Sequence, residues 1–133
     1  MLLIKDIMTT GVYTVEASAS TEEAAWGLTR RHIGGAPARD AQGNLVGVLS
    51  SSDLVNPEPA QWIRGEATVG DVMNPDVISL YEGDPAMAAV TEMAKRHIHR
   101  IVVLNADGEL AGIVTPMDVV RALAAGARFD LAD

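Results

Sequence analysis

Two short stretches place a hydroxyl and a carboxylate three residues apart at what reads as a strand-to-helix turn. They are Gly112-Ile113-Val114-Thr115-Pro116-Met117-Asp118 and Gly47-Val48-Leu49-Ser50-Ser51-Ser52-Asp53. In each, an apolar run suited to a buried strand ends at the Ser or Thr. In the later stretch Pro116 then makes a good first helical residue, with Thr115 as N-cap and Asp118 at the third helical position. A hydroxyl beside the free amides of a helix start suits a phosphate oxygen, and a carboxylate suits a vicinal diol. The same spacing is also plain helix capping, the commoner use of Ser/Thr-x-x-Asp. Recurrence adds weight to a binding role, and the two uses can share the same residues.

Other reactive patterns are missing. The sequence holds no P-loop, nucleophile elbow or HExxH, and no cysteine, so thiol catalysis, disulfides and thiolate metal sites are excluded. Ser50-Ser51-Ser52 stands beside Asp53, but no motif places a base near it, and no catalytic residue is expected. His97-x-His99 with a distant His32 does not make a metal-ligand set. His32 and His97 end helices, where they pack or meet the negative end of the dipole, and Arg30, Arg31, Lys95 and Arg96 read as solvated helix-end cations. A net charge of -8 argues against binding nucleic acid or anionic lipid. No apolar run approaches the roughly 18 residues of a membrane span. Met1-Leu2-Leu3-Ile4 is cut off by Lys5 and Asp6, too short for the apolar part of a signal peptide, so a cytoplasmic protein is expected.

The two turns belong to an internal repeat. Residues 4–55 match 69–120 without a gap at an offset of 65, and 13 of the 52 positions are identical, among them Asp6/Asp71, Met8/Met73, His32/His97, Gly47/Gly112 and Asp53/Asp118. That is well beyond chance, so the chain reads as a duplication. Each copy opens with a turn (Ile4 to Met8; Val69 to Met73) and a strand (Val12 to Val15; Val77 to Leu80). A helix follows: Ser20 to Arg31 with a Ser20/Glu23 capping box, and its partner with Asp84 as cap and Pro85 in the first turn. Thr21, Ala24, Ala25 and Leu28, and Ala86, Val90, Met93 and His97, form the apolar stripes. Trp26, off that stripe, reads as an oligomer contact or a lone surface aromatic. Next come hairpins, Ala36 to Arg39 with Leu45 to Leu49 and Ile101 to Leu104 with Leu110 to Val114, whose turn glycines supply positive φ. A closing helix is cut short after Val55 in one copy and runs to about Ala125 in the other. The expected organisation is repeat 1 over 1–56, a linker over 57–66, repeat 2 over 67–125 and a tail over 126–133. A copy of about 50 residues cannot bury enough apolar surface alone, so the copies should pack face to face about a pseudo-two-fold axis.

Two β-α-β-β-α copies with a Gly-x-x-Ser/Thr-x-x-Asp turn after the third strand resemble a tandem pair of CBS domains. Asp6-Ile7-Met8, Asp71-Val72-Met73 and His99-Arg100-Ile101-Val102-Val103 carry the resemblance further, and it covers residues 4–125. It implies an α/β (α+β) fold, a homodimer, and clefts between the copies that bind AMP, ADP, ATP or another adenosyl compound as a regulatory signal, with no cofactor required. By the same resemblance one cleft would comprise Ser50, Asp53, Val77, Ile78, His99 and Arg100, and the other Thr115, Asp118, Val12, Tyr13, Gly34 and Gly35. Asp would take the ribose diol and Arg100 the phosphate charge. Gly34-Gly35 stands where the other copy has His99-Arg100, so the second cleft lacks that cation and would be empty or prefer little phosphate. The implied function is a non-catalytic sensor acting on an unidentified downstream partner. The rivals are a structural homodimerisation module with vestigial clefts and, more weakly, a nucleotide hydrolase.

Overall fold

The computed structural model describes residues 1–55 and 67–129; the expected linker at 57–66 and the last four tail residues lie outside the described residues. The fold is mixed α+β with two three-stranded sheets. In chain order the helices are α1 (Ile4–Ile7), α2 (Thr21–Arg31), α3 (Val69–Val72), α4 (Ala86–Arg96) and α5 (Pro116–Ala124), with a 3-10 turn at Ser51–Val55. The strands are β1 (Val15–Glu16), β2 (Gly35–Arg39), β3 (Leu45–Ser50), β4 (Ser79–Tyr81), β5 (Ile101–Leu104) and β6 (Leu110–Val114). In each sheet the first strand runs parallel to the second and the third runs antiparallel to it. The two hairpin turns are built alike. Asp40 Oδ1 accepts from the amides of Gln42 and Asn44, Asn105 Oδ1 from those of Asp107 and Glu109, and Gly43 and Gly108 take φ of 85° and 79°.

Two compact units emerge, and they cut across the sequence repeat. One is Tyr13–Val77; the other joins Met1–Val12 to the chain from Ile78 onward. The core of the first unites Val15, Ala24, Leu28, Ala36, Ala38 and Leu49 with Val69 from the opening turn of the other copy. The core of the second unites Ala86, Ala89, Met93, Ile101, Val103 and Val114 with Ile4 and Ile7. Ile4 and Val69 are both fully buried, each worth about 1.5–3 kcal/mol of transfer free energy. Phe129, in the expected tail, also packs on the second core.

Each exchanged segment is fixed by a two-way backbone pair with a third strand: Thr9 with Ile113 at 2.8 and 3.0 Å, and Asn74 with Val48 at 3.0 and 2.8 Å. The repeated glycines make this approach possible. A Cβ on Gly112 would lie 2.6 Å from the Thr9 carbonyl oxygen, and one on Gly47 would lie 2.8 Å from that of Asn74.

Several local expectations shift, each for a visible reason. The first strand of copy one starts at Val15 rather than Val12. In copy two the Val102 amide donates to the Ile78 carbonyl, but the equivalent of Val102 is Pro37, which has no N–H to extend the pairing toward Tyr13. Ser20 caps α2 as expected, its hydroxyl accepting from the Glu23 amide. Asp84 does not cap α4: its carboxylate accepts from the Tyr81 amide, and Pro85 is the N-cap. His32 and His97 are both C-caps in the left-handed region, at φ 54°. His97 is exposed, and Ala89 takes its place in the buried stripe.

Gly112→Ala should therefore destabilise the protein by about 2–3 kcal/mol, because the obstruction is backbone that cannot move aside cheaply. Gly83→Ala, with open space around it, should cost less than about 0.5 kcal/mol. Urea unfolding of both variants checks this; equal stabilities would contradict the close approach.

Candidate functional site

The hairpin register sets the candidate residues at one end of each sheet. In the Tyr13–Val77 unit Gly35 pairs with Ser50, and the Ser51 amide donates to the Gly34 carbonyl at 2.8 Å. In the other unit Ile101 pairs with Val114, so the register carried one step further sets Arg100 opposite Thr115. Within its own unit each Ser/Thr-and-Asp turn thus lies beside the segment that precedes the middle strand of the same copy: Gly34-Gly35 beside Ser50, His99-Arg100 beside Thr115. The resemblance combines each turn instead with segments of the other copy.

The two turns differ in chemistry. Thr115 and Asp118 close a full capping box at the start of α5. The Thr115 amide and hydroxyl donate to Asp118 Oδ2 at 2.8 and 3.2 Å, and the Asp118 amide returns a longer bond of 3.4 Å to the Thr115 hydroxyl. Asp118 Oδ1 accepts from the Thr9 hydroxyl at 2.8 Å and lies 3.6 Å from a guanidinium nitrogen of Arg121. The Asp118 side chain is only 5% exposed. In copy one the Ser50 amide donates to Asp53 Oδ2 at 2.8 Å, but the Ser50 hydroxyl engages Ser52 instead of a helix amide. Asp53 is half-buried, and its Oδ1 has no hydrogen-bond partner among the described residues. By spacing alone the two carboxylates have one role; the described residues leave Oδ1 of Asp53 as an acceptor and enclose Asp118.

The residues expected in the first strands and named with these turns lie just before β1 and β4, which start at Val15 and at Ser79 rather than Val77, and they are half-buried. Ile78 packs against the core of its unit and Tyr13 against that of its own, while Val12 and Val77 are partly covered. Tyr13 lies along α2, where the missing side chain of Gly27 makes room for its ring. The Arg31 guanidinium stacks 3.8 Å above that ring and donates to the Gly27 carbonyl, so Arg31 is not the solvated cation that its position in the sequence suggested. The signal was there in a Gly and an Arg four residues apart on a helix, but nothing local linked them to Tyr13. His99 is exposed and borders a groove of about 440 Å³ with Val90, Met93, Ile98, Pro116 and Val119. No group of three or more His, Asp or Glu side chains suited to a metal ion occurs among the described residues. No helix there is long and apolar enough to cross a membrane.

Known proteins share this arrangement. The CBS domain family model matches the chain twice, at residues 4–57 and 69–125. The CBS domain-containing protein YhcV of Bacillus subtilis is 33% identical over 122 residues, spanning 90% of this chain and 84% of that protein. Another relative, the L-aspartate semialdehyde sulfurtransferase of Methanocaldococcus jannaschii, is 29% identical over 119 residues, and the match spans only 23% of its length. The crystal structure of CBSX2 in complex with AMP superposes with a TM-score of 0.83 at 28% identity, covering 96% of this chain and all of that one. The CBS domain pair of protein MJ0100, in complex with 5'-methylthioadenosine and S-adenosyl-L-methionine, gives 0.81 at 28% identity, covering 96% and 99%. With both copies matched over nearly their whole length, the chain belongs to the CBS domain family and carries two CBS domains.

Proposed function

We propose that the protein is a non-catalytic regulatory module that binds an adenosyl ligand through its Ser/Thr-and-Asp turns and passes the ligand's presence to a partner protein. The likeness to two CBS pairs in complex with AMP and with methylthioadenosine and S-adenosylmethionine carries this reading. The chemistry of the turns agrees with it. The Asp53 oxygen that has no partner among the described residues suits a ribose diol, the amides and hydroxyls around Ser50 and Thr115 suit polar ligand oxygens, and Arg100 suits a phosphate. Val12, Tyr13, Val77 and Ile78 offer apolar surface to a base, and Gly34 and Gly35 bring backbone without side chains to the sheet end beside Ser50. We place the protein in the cytoplasm, in keeping with the absence of cysteine. We further propose a homodimer, on the strength of the exposed Met117, Val120 and Leu123 along α5 and Trp26 on α2.

Calorimetry with AMP, ADP, ATP, S-adenosylmethionine and methylthioadenosine, run beside a turnover assay, tests the function. Binding without turnover is expected. Hydrolysis would support an enzyme, and failure of every adenosyl compound to bind would leave only a structural role. Arg100→Ala should weaken AMP about ten- to a hundredfold and methylthioadenosine, which lacks a phosphate, far less. Asp53→Asn should weaken both. Combining Arg100→Ala with Asp53→Asn or Asp118→Asn then identifies the turn that Arg100 serves, as the pair with non-additive losses. For the dimer, light scattering at micromolar concentration should give twice the chain mass, and a monomer would refute it.

A further inference from the structure

We infer that Thr9 is a specificity-determining residue: its hydroxyl occupies the outer oxygen of Asp118 and so closes the Thr115–Asp118 turn to a ligand diol, whereas no described residue does the same to Asp53 in the Ser50–Asp53 turn. This rests on the adenosyl-ligand reading and assigns the inequality of the two turns to one side chain outside both of them. Thr9 is 109 residues from Asp118 in sequence, and its hydroxyl donates to Asp118 Oδ1 at 2.8 Å. Its backbone is held in place by the paired bonds to Ile113, so the hydroxyl is presented by a fixed segment. Asp118 Oδ2 already receives the Thr115 amide and hydroxyl, and Arg121 stands near Oδ1. A diol needs the lone pairs that these donors take, and at 5% exposure it cannot reach the carboxylate without displacing one of them. Thr9 is the donor able to yield, since it is exposed and its hydroxyl takes no part in the capping of α5.

The other copy supplies an internal control. The residue equivalent to Thr9 is Asn74, which keeps the same backbone pair with Val48. Its side-chain oxygen accepts from the Asp76 amide at 2.9 Å, and its side-chain NH2, the only donor it has there, makes no bond to Asp53 among the described residues. The exchange of Thr9 for Asn74 at equivalent positions thus accompanies the difference between a carboxylate that accepts from this segment and one that does not among the described residues.

Calorimetry with AMP and with methylthioadenosine, in an Asp53→Asn background that weakens the open turn, tests the inference. Thr9→Ala in that background should tighten binding about tenfold, the scale of one charge-assisted hydrogen bond regained by the ligand. Thr9→Ser, which keeps the hydroxyl, should bind like the Asp53→Asn variant itself. Adding Asp118→Asn to the Thr9→Ala variant should abolish the gain, which a purely structural effect of Thr9 would not predict. Equal affinities for the Ala and Ser variants, with the parent protein binding normally, overturn the inference alone. No binding by any form, the parent included, overturns the ligand reading together with it.

Discussion

The rest of the structure depends on a close backbone approach at two glycines. At Gly112 and Gly47 the third strand of a sheet meets the segment that follows an opening turn, at a separation that leaves no room for a Cβ. That approach allows the paired bonds of Thr9 with Ile113 and Asn74 with Val48, and these bonds hold Ile4, Ile7 and Val69 in cores built otherwise from the other copy. It also presents residues 9 and 74 beside the strands that lead into the Ser/Thr-and-Asp turns. The repeated glycine therefore positions residues 9 and 74 as well as the cores.

What the sequence made legible was what neighbours in the chain determine. The hairpin strands Ile101–Leu104 and Leu110–Val114 are where their apolar runs and the Gly108 turn put them, and Ser20 caps α2 as its spacing with Glu23 indicated. The resemblance to CBS domains, carried by the repeated Gly-x-x-Ser/Thr-x-x-Asp turns and the Asp-x-Met openings, indicated the fold. The exchange of opening segments was not legible, because Ile4 to Met8 and Val69 to Met73 are nearly the same amphipathic turn, and nothing in either states which core it joins. The shorter first strand of copy one was written in Pro37, but only against the register of a strand more than twenty residues away.

The inequality of the two carboxylates lay deepest. From sequence, the visible difference was Gly34-Gly35 against His99-Arg100, a difference of charge. The structure adds a difference of availability: Asp118 is satisfied within the fold, whereas Oδ1 of Asp53 has no hydrogen-bond partner among the described residues. A buried carboxylate with its acceptor sites filled serves the helix first, because stripping it of donors leaves a costly unsatisfied charge. Duplication thus supplied two turns of one design, and the residues packed against them assign the Thr115–Asp118 turn mainly to the fold.

Two backbone amides report on these carboxylates separately, that of Ser50 on Asp53 and that of Thr115 on Asp118. Following both resonances by amide NMR during titration with methylthioadenosine tests the central claim most directly. The account predicts a saturable shift of the Ser50 amide while the Thr115 amide stays in place over the same range of ligand. A Thr115 shift that matches or precedes that of Ser50, or a Ser50 amide that never moves, would contradict it.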